Sequence, residues 1–279
     1  MFAQFIRVVS LFAILGFLAL DKAGARGSES CDGRAEVIVH NAYPDATKND
    51  DETFQVGEST ISINDREAGI DAPHMMTCRV WPANPQLTLV AVPLIKSANE
   101  DGTVGDLELL VVDTGTSAVR KRLLLADRMT DDAIRISAVE FDTARYRLSR
   151  EQTAFGLRIS TNGSSRPNPY DEVSLWLYAI DKGSLHPLLD GMIVSKNTGE
   201  WDTNCAGEFQ SSESTLSMSS NRTHGYADIT VVETGSTKTN FVGKDNSCED
   251  KTVTSKPQTL RLVYDGKEYR IPEDRRAVT

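Results

Sequence analysis

Apolar and polar side chains alternate along most of this chain. Phe155, Leu157 and Ile159 alternate with Gly156, Arg158 and Ser160; Ala227, Ile229 and Val231 alternate with Asp228 and Thr230; Leu260, Leu262 and Tyr264 alternate with Arg261 and Val263. A period of two sets the apolar side chains on one face of a pleated strand. Strand-like runs also cover residues 36–41, 60–63, 75–81, 87–95, 107–113, 119–125, 134–141, 173–180, 191–195 and 215–219. Turn formers punctuate them. In "VYDGKEY", Asp265 and Gly266 both tolerate positive φ and predict a two-residue hairpin turn. "VVDTGTSAV" and "YAIDKGSLH" predict hairpins with slightly longer, glycine-bearing loops. No stretch after the N-terminal segment keeps apolar residues at i, i+3, i+4 and i+7 for three turns. Residues 126–133, where Asp131 and Asp132 suit a helix start, are the best place for a short helical turn. The pattern predicts an all-β protein with very little helix, a large antiparallel β-sandwich. A propeller-like arrangement of hairpins is the alternative, although no blade-length repeat supports it.

The first residues break the pattern. Arg7 precedes an apolar run from Val8 to Leu20, which Asp21 and Lys22 end before it reaches the ~20 residues of a membrane span. Ala23-Gly24-Ala25 then offers a small-x-small cleavage site. Residues 1–25 are therefore expected to be a cleaved signal peptide, and the mature chain to be periplasmic or extracellular. Residues 26–279 are expected to form one all-β domain, with a soft subdivision at the Ser-, Asn-, Gly- and Pro-rich loop 160–172. Residues 40–54 read as a second long polar loop.

Export changes the reading of the cysteines. Cys31, Cys78, Cys205 and Cys248 show no Cys-x-x-Cys spacing of a zinc site, and an even count in an oxidising compartment predicts disulfides. Of three connectivities, Cys31–Cys78 with Cys205–Cys248 is favoured, one staple in each half. Each closes roughly 45 residues, worth about 4 kcal/mol in the chain-entropy model. The net charge of −10 discourages nucleic acid and anionic membrane surfaces as partners.

One stretch suggests a metal. In "SANEDGTVGDLE", Ser97, Asn99, Asp101, Gly102 and Glu108 fall at positions 1, 3, 5, 6 and 12 of a calcium loop. Calcium needs several hard oxygens, and short side chains on alternate residues can converge on one ion. The stretch resembles an EF-hand loop without its helices, and is similar to the acidic calcium loops between strands in FG-GAP repeats of integrin-type propellers. The resemblance covers about a dozen residues, occurs once and implies at most a structural calcium ion. The leading position is Ser rather than Asp, and the flanks read as strands, so a plain polar turn is the simpler expectation.

Catalytic signals are sparse. "SKNTGEWDTNCAGEF" brings Glu200, Asp202 and Glu208 close in sequence to Trp201, the materials of a glycosidase: an acid, a second carboxylate and a sugar-stacking ring. In "YDEVSLWLYAI", Trp176 and Tyr178 share one face and could form a recognition platform. The same run equally describes a central strand buried on both faces, the favoured reading. His40, His74, His186 and His224 show no ligand spacing, and no nucleophile elbow or nucleotide loop is present. Asn162 and Asn221 head glycosylation sequons. The expected function is non-enzymatic surface recognition of a protein or glycan by an exported β-protein needing no cofactor. A secreted hydrolase acting on a polysaccharide or envelope substrate is the alternative.

Overall fold

The computed structural model describes residues 31–49, 52–63, 73–181 and 183–277. The expected signal peptide lies outside the described residues. Two antiparallel sheets dominate. The first contains β1 (Thr47–Lys48), β2 (Thr53–Val56), β3 (Ser59–Ser62), β4 (Thr77–Val80), β5 (Leu87–Ala98), β6 (Thr103–Asp113) and β7 (Val119–Leu125). Its order is β1-β2-β3-β5-β6-β7, with β4 also on β5. The second contains β8 (Ile134–Arg147), β9 (Thr153–Gly163), β10 (Tyr170–Asp181), β11 (Ser184–Trp201), β12 (Gly207–Thr223), β13 (Tyr226–Val242), β14 (Cys248–Thr254) and β15 (Gln258–Leu262). Here neighbours in sequence are neighbours in space from β8 to β14, and β15 joins β13. The architecture is an all-β sandwich; two stacked sheets replace the propeller alternative.

Period-two alternation on doubly buried strands makes three cores. On β6, Leu107, Leu109 and Val111 face the second sheet, while Leu110 and Val112 face the opposite side with Ile38, Val39 and the Cys31–Cys78 disulfide. On β10, Trp176 and Tyr178 enter the inter-sheet core, whereas Leu175, Leu177 and Ala179 enter a third core with Ile229, Val231, Leu262 and Tyr269. Residues 160–163 and 170–172 belong to successive paired strands, β9 and β10, of one sheet.

Three local expectations are corrected. Residues 36–41 form no strand but lie in a helix, α1 (Ala35–Ala42), whose buried residues Ala35, Ile38, Val39 and Ala42 stand at i, i+3, i+4 and i+7. Two turns rich in Val and Ile imitate a strand run, and packing on the first sheet decides the outcome. The polar loop 40–54 accordingly starts inside α1 and includes β1 and part of β2. Residues 126–133 hold turns and a bridge but no helix, because Asp131 spends its carboxylate on the amides of Thr103 and Ile136, binding neighbouring strands instead of capping a helix. The Asp265-Gly266 turn is four residues long rather than two, with Tyr264 bridged to Tyr269. The Asp265 carboxylate accepts the amides of Lys267 and Glu268 and draws both into the turn.

Candidate functional site

The strands of the second sheet outrun its cores. Residues 195–201 of β11 pair with 207–213 of β12, which pair with 234–240 of β13, and β14 adds the edge. Between Lys196 and Glu213 only Cys205 is buried. These stretches read "KNTGEW" and "GEFQSSE", too polar to build a core, so both faces of the arm meet water.

A short repeat organises the arm. Gly199-Glu200-Trp201 ends one strand and Gly207-Glu208-Phe209 begins the next. The register pairs Gly199 with Phe209, Glu200 with Glu208 and Trp201 with Gly207. Paired residues share a face and neighbours alternate. Trp201 and Phe209 therefore occupy one face, each opposite a glycine, and the two glutamates occupy the other. The glycines are needed for the aromatic packing. A Cβ on Gly199 would stand 2.6 Å from Cδ1 of Phe209, and one on Gly207 would stand 3.1 Å from Cδ1 of Trp201. Pro169 completes the patch: its Cγ lies 3.1 Å from the same point above Gly199, and its carbonyl accepts the Gly199 amide at 3.1 Å. The Pro167 carbonyl accepts the Trp201 amide at 2.7 Å, so loop 164–169 runs beside β11 as an irregular extra edge.

The turn beyond Trp201 is held twice. The Asp202 carboxylate accepts the amides of Asn204 at 2.9 Å and Cys205 at 2.8 Å. These backbone hydrogen bonds hold its pKa below the usual aspartate range, so it is an ionised turn residue and a poor proton donor. The Cys205–Cys248 disulfide then ties the turn to β14.

The aromatic face continues into a groove. Asp171, Asn197, Ser211 and Ser236 follow one another across four paired strands. With Pro169 and Phe209 they border a concavity of about 460 Å³, within the few-hundred-Å³ class of small-ligand sites. Ser211 and Ser236 hydroxyls are 2.8 Å apart. Lys238 borders the same groove, with its Nζ 3.7 Å from a carboxylate oxygen of Asp250.

The other predicted residues are distributed differently. Glu200, Trp201, Asp202 and Glu208 do border one shallow concavity of about 410 Å³ at the arm tip. The exposed glutamates face away from Trp201, however, and no enclosure shields them as a general acid requires. Directly opposed like charges destabilise a sheet. Glu208→Thr is therefore expected to raise stability by about 0.5 kcal/mol, read as a higher urea midpoint at unchanged slope; a lower midpoint would contradict the pairing. Trp176 and Tyr178 are only 4% and 1% exposed and form no surface platform. Burial on β10 explains both: Trp176 lies under the Arg128 guanidinium, 4.7 Å from its ring, and beside a bulge at Gly191.

The calcium-loop residues do not converge. Ser97 pairs with Val104 in the β5–β6 hairpin. Asn99 Oδ1 accepts the amides of Asp101 and Gly102 and shapes the turn. Glu108 lies within β6, buried, with both oxygens engaged by Arg122 and one also by Tyr43. Among the described residues, no group of three or more His, Cys, Asp or Glu side chains is placed to hold a metal ion.

No family model, curated protein or solved structure matches the chain. The site therefore rests on its own geometry. Phe209, Pro169, Gly199, Gly207, Asn197 and Lys238 are among the members that sequence reasoning missed, as are Asp171, Ser211 and Ser236 of the polar row. The signal for three of them, Gly199, Gly207 and Phe209, was present: the doubled Gly-Glu-aromatic tripeptide on either side of a cysteine-bearing turn.

Proposed function

We propose that this is an exported, non-enzymatic recognition protein that binds a glycan through the Trp201–Phe209 face of its arm. The observation that carries the reading is the paired Gly-Glu-aromatic register, which sets two rings and Pro169 on one solvent-facing side beside a groove of Asn, Ser and Asp side chains. Rings offer apolar faces to the C–H side of a sugar, and the flanking polar groups match its hydroxyls. Two disulfides suit an oxidising compartment, and no helix among the described residues is long and apolar enough to cross a membrane. A rigid scaffold carrying its binding residues at an exposed end fits recognition.

Tryptophan fluorescence tests the reading directly. Trp81 and Trp176 are 6% and 4% exposed, so Trp201 is the accessible reporter. Acrylamide is expected to quench Trp201, and polysaccharides from a plant, fungal and bacterial wall panel to include one that shields it. Trp201→Ala should abolish both signals while leaving the melting temperature nearly unchanged. If no glycan of the panel shields Trp201, the glycan reading falls.

A further inference from the structure

We infer that the ligand is a neutral, unbranched polysaccharide, held along its length in an extended conformation across the strands of the arm. The inference rests on the reading of the arm as a glycan site and specifies which glycans it takes.

Charge narrows the class first. Among the described residues, Lys238 is the only cationic side chain bordering the groove, and Asp250 lies 3.7 Å from its ammonium. Asp171 adds a negative charge to the rim, and the chain as a whole carries −10. A sulfated or carboxylated polymer is recognised through arginine or lysine forks and clusters, and this groove supplies neither. It offers Asn197, Ser211, Ser236 and Thr252, whose amide and hydroxyl groups both donate and accept, as sugar hydroxyls do. Asp171 is an acceptor for two hydroxyl donors at once.

Shape narrows it further. The row from Asp171 through Asn197 and Ser211 to Ser236 crosses four strands, about 14 Å at ordinary strand spacing. That is room for several consecutive sugar units. The row runs straight across the paired strands of one sheet face. Phe209 and Pro169 lie along one side of it, each two residues from the row, and Trp201 continues that side four residues from Asn197 on β11. A straight polymer can lay its apolar faces on these rings and its hydroxyls on the polar row together; dense side branches, some of which must point toward the protein, would collide with one or the other.

Affinity electrophoresis of the mature chain tests this. Gels contain linear mixed-linkage β-glucan or linear glucomannan as neutral unbranched probes, a heavily branched neutral arabinogalactan, or polygalacturonate and heparin as anionic ones. Retardation by a neutral unbranched probe that persists in high salt is the expected result, since uncharged contacts are not screened. Phe209→Ala and Trp201→Ala should each weaken it about tenfold, and Asn197→Ala should weaken it while leaving the rings in place. Gly199→Ala, which must displace the Phe209 ring, should behave like Phe209→Ala. Retardation only by an anionic probe, lost in high salt, would overturn the ligand class and leave glycan recognition standing. Equal retardation by the branched probe would overturn the extended geometry. Failure with every probe, together with an unshielded Trp201, would overturn both the inference and the reading beneath it.

Discussion

Arg122→Met is expected to destabilise the chain by roughly 3 kcal/mol. Arg122 grips Glu108 with two hydrogen bonds, Nε to Oε1 at 2.7 Å and one terminal nitrogen to Oε2 at 2.8 Å. Its other terminal nitrogen donates to the Ala42 carbonyl at the end of α1, and its guanidinium lies 5.3 Å from the Tyr43 ring centre. The Tyr43 hydroxyl donates to Glu108 at 2.5 Å, and burial with Glu108 beside it holds that phenol protonated well above the ordinary tyrosine range. The partners differ in exposure: the Arg122 side chain is 48% exposed and that of Glu108 is 6%. Methionine keeps the stem against Tyr43 but leaves a buried carboxylate with one neutral donor, and stranding a buried charge costs far more than losing a surface pair. Glu108→Gln leaves the arginine free to turn to water and should cost clearly less. Arg122→Met with Glu108→Leu should recover much of the loss, because no buried charge remains. Denaturant midpoints of the three variants decide it. Equal losses for Arg122→Met and Glu108→Gln would show that the carboxylate is not the stranded group.

The same residue shows what could be read from the sequence and what could not. Glu108 sits in the alternating run "LELLVVD", where period two makes the strand plain. Which face is buried depends on α1, and α1 was hidden because its two turns of Ala, Ile and Val satisfy a short strand pattern as well as a helical one. With the helix unseen, Glu108 looked free to serve a metal or point to solvent. Trp176 and Tyr178 were ambiguous for a related reason: a strand buried on both faces and one with an aromatic surface face look alike until the third core is known. The disulfide partners, by contrast, were favoured from position alone, one pair in each half, and both pairs form. At the arm, the acids drew attention for their chemistry and Trp201 for its ring, yet register sends them to opposite faces. Reading the two Gly-Glu-aromatic tripeptides as the arms of one hairpin would have separated them and found Phe209.

Removing Cys31–Cys78 by alanine at both positions is expected to cost at least about 4 kcal/mol, the largest effect of any change considered. The disulfide spans 47 residues, and its loss frees the unfolded chain from that closure. It also removes atoms from a filled space: both cysteines are 1% exposed, among Ile38, Val39 and Val90, and it fastens the chain before α1 to β4. Cys205–Cys248 provides an internal standard. It spans 43 residues, so chain entropy alone predicts nearly the same loss for the second pair. Its surroundings differ, since Cys248 is exposed at the edge of an arm that has no core. Any excess loss at the first pair therefore measures what burial adds, and the packing around α1 requires that excess to be positive. Removing the second pair should instead loosen the turn of residues 202–206 that follows Trp201 and weaken glycan retention. Guanidinium unfolding of the two double variants under non-reducing conditions compares them. A loss at Cys31–Cys78 no larger than at Cys205–Cys248 would mean that α1 and its core contribute nothing to holding that end of the sandwich together.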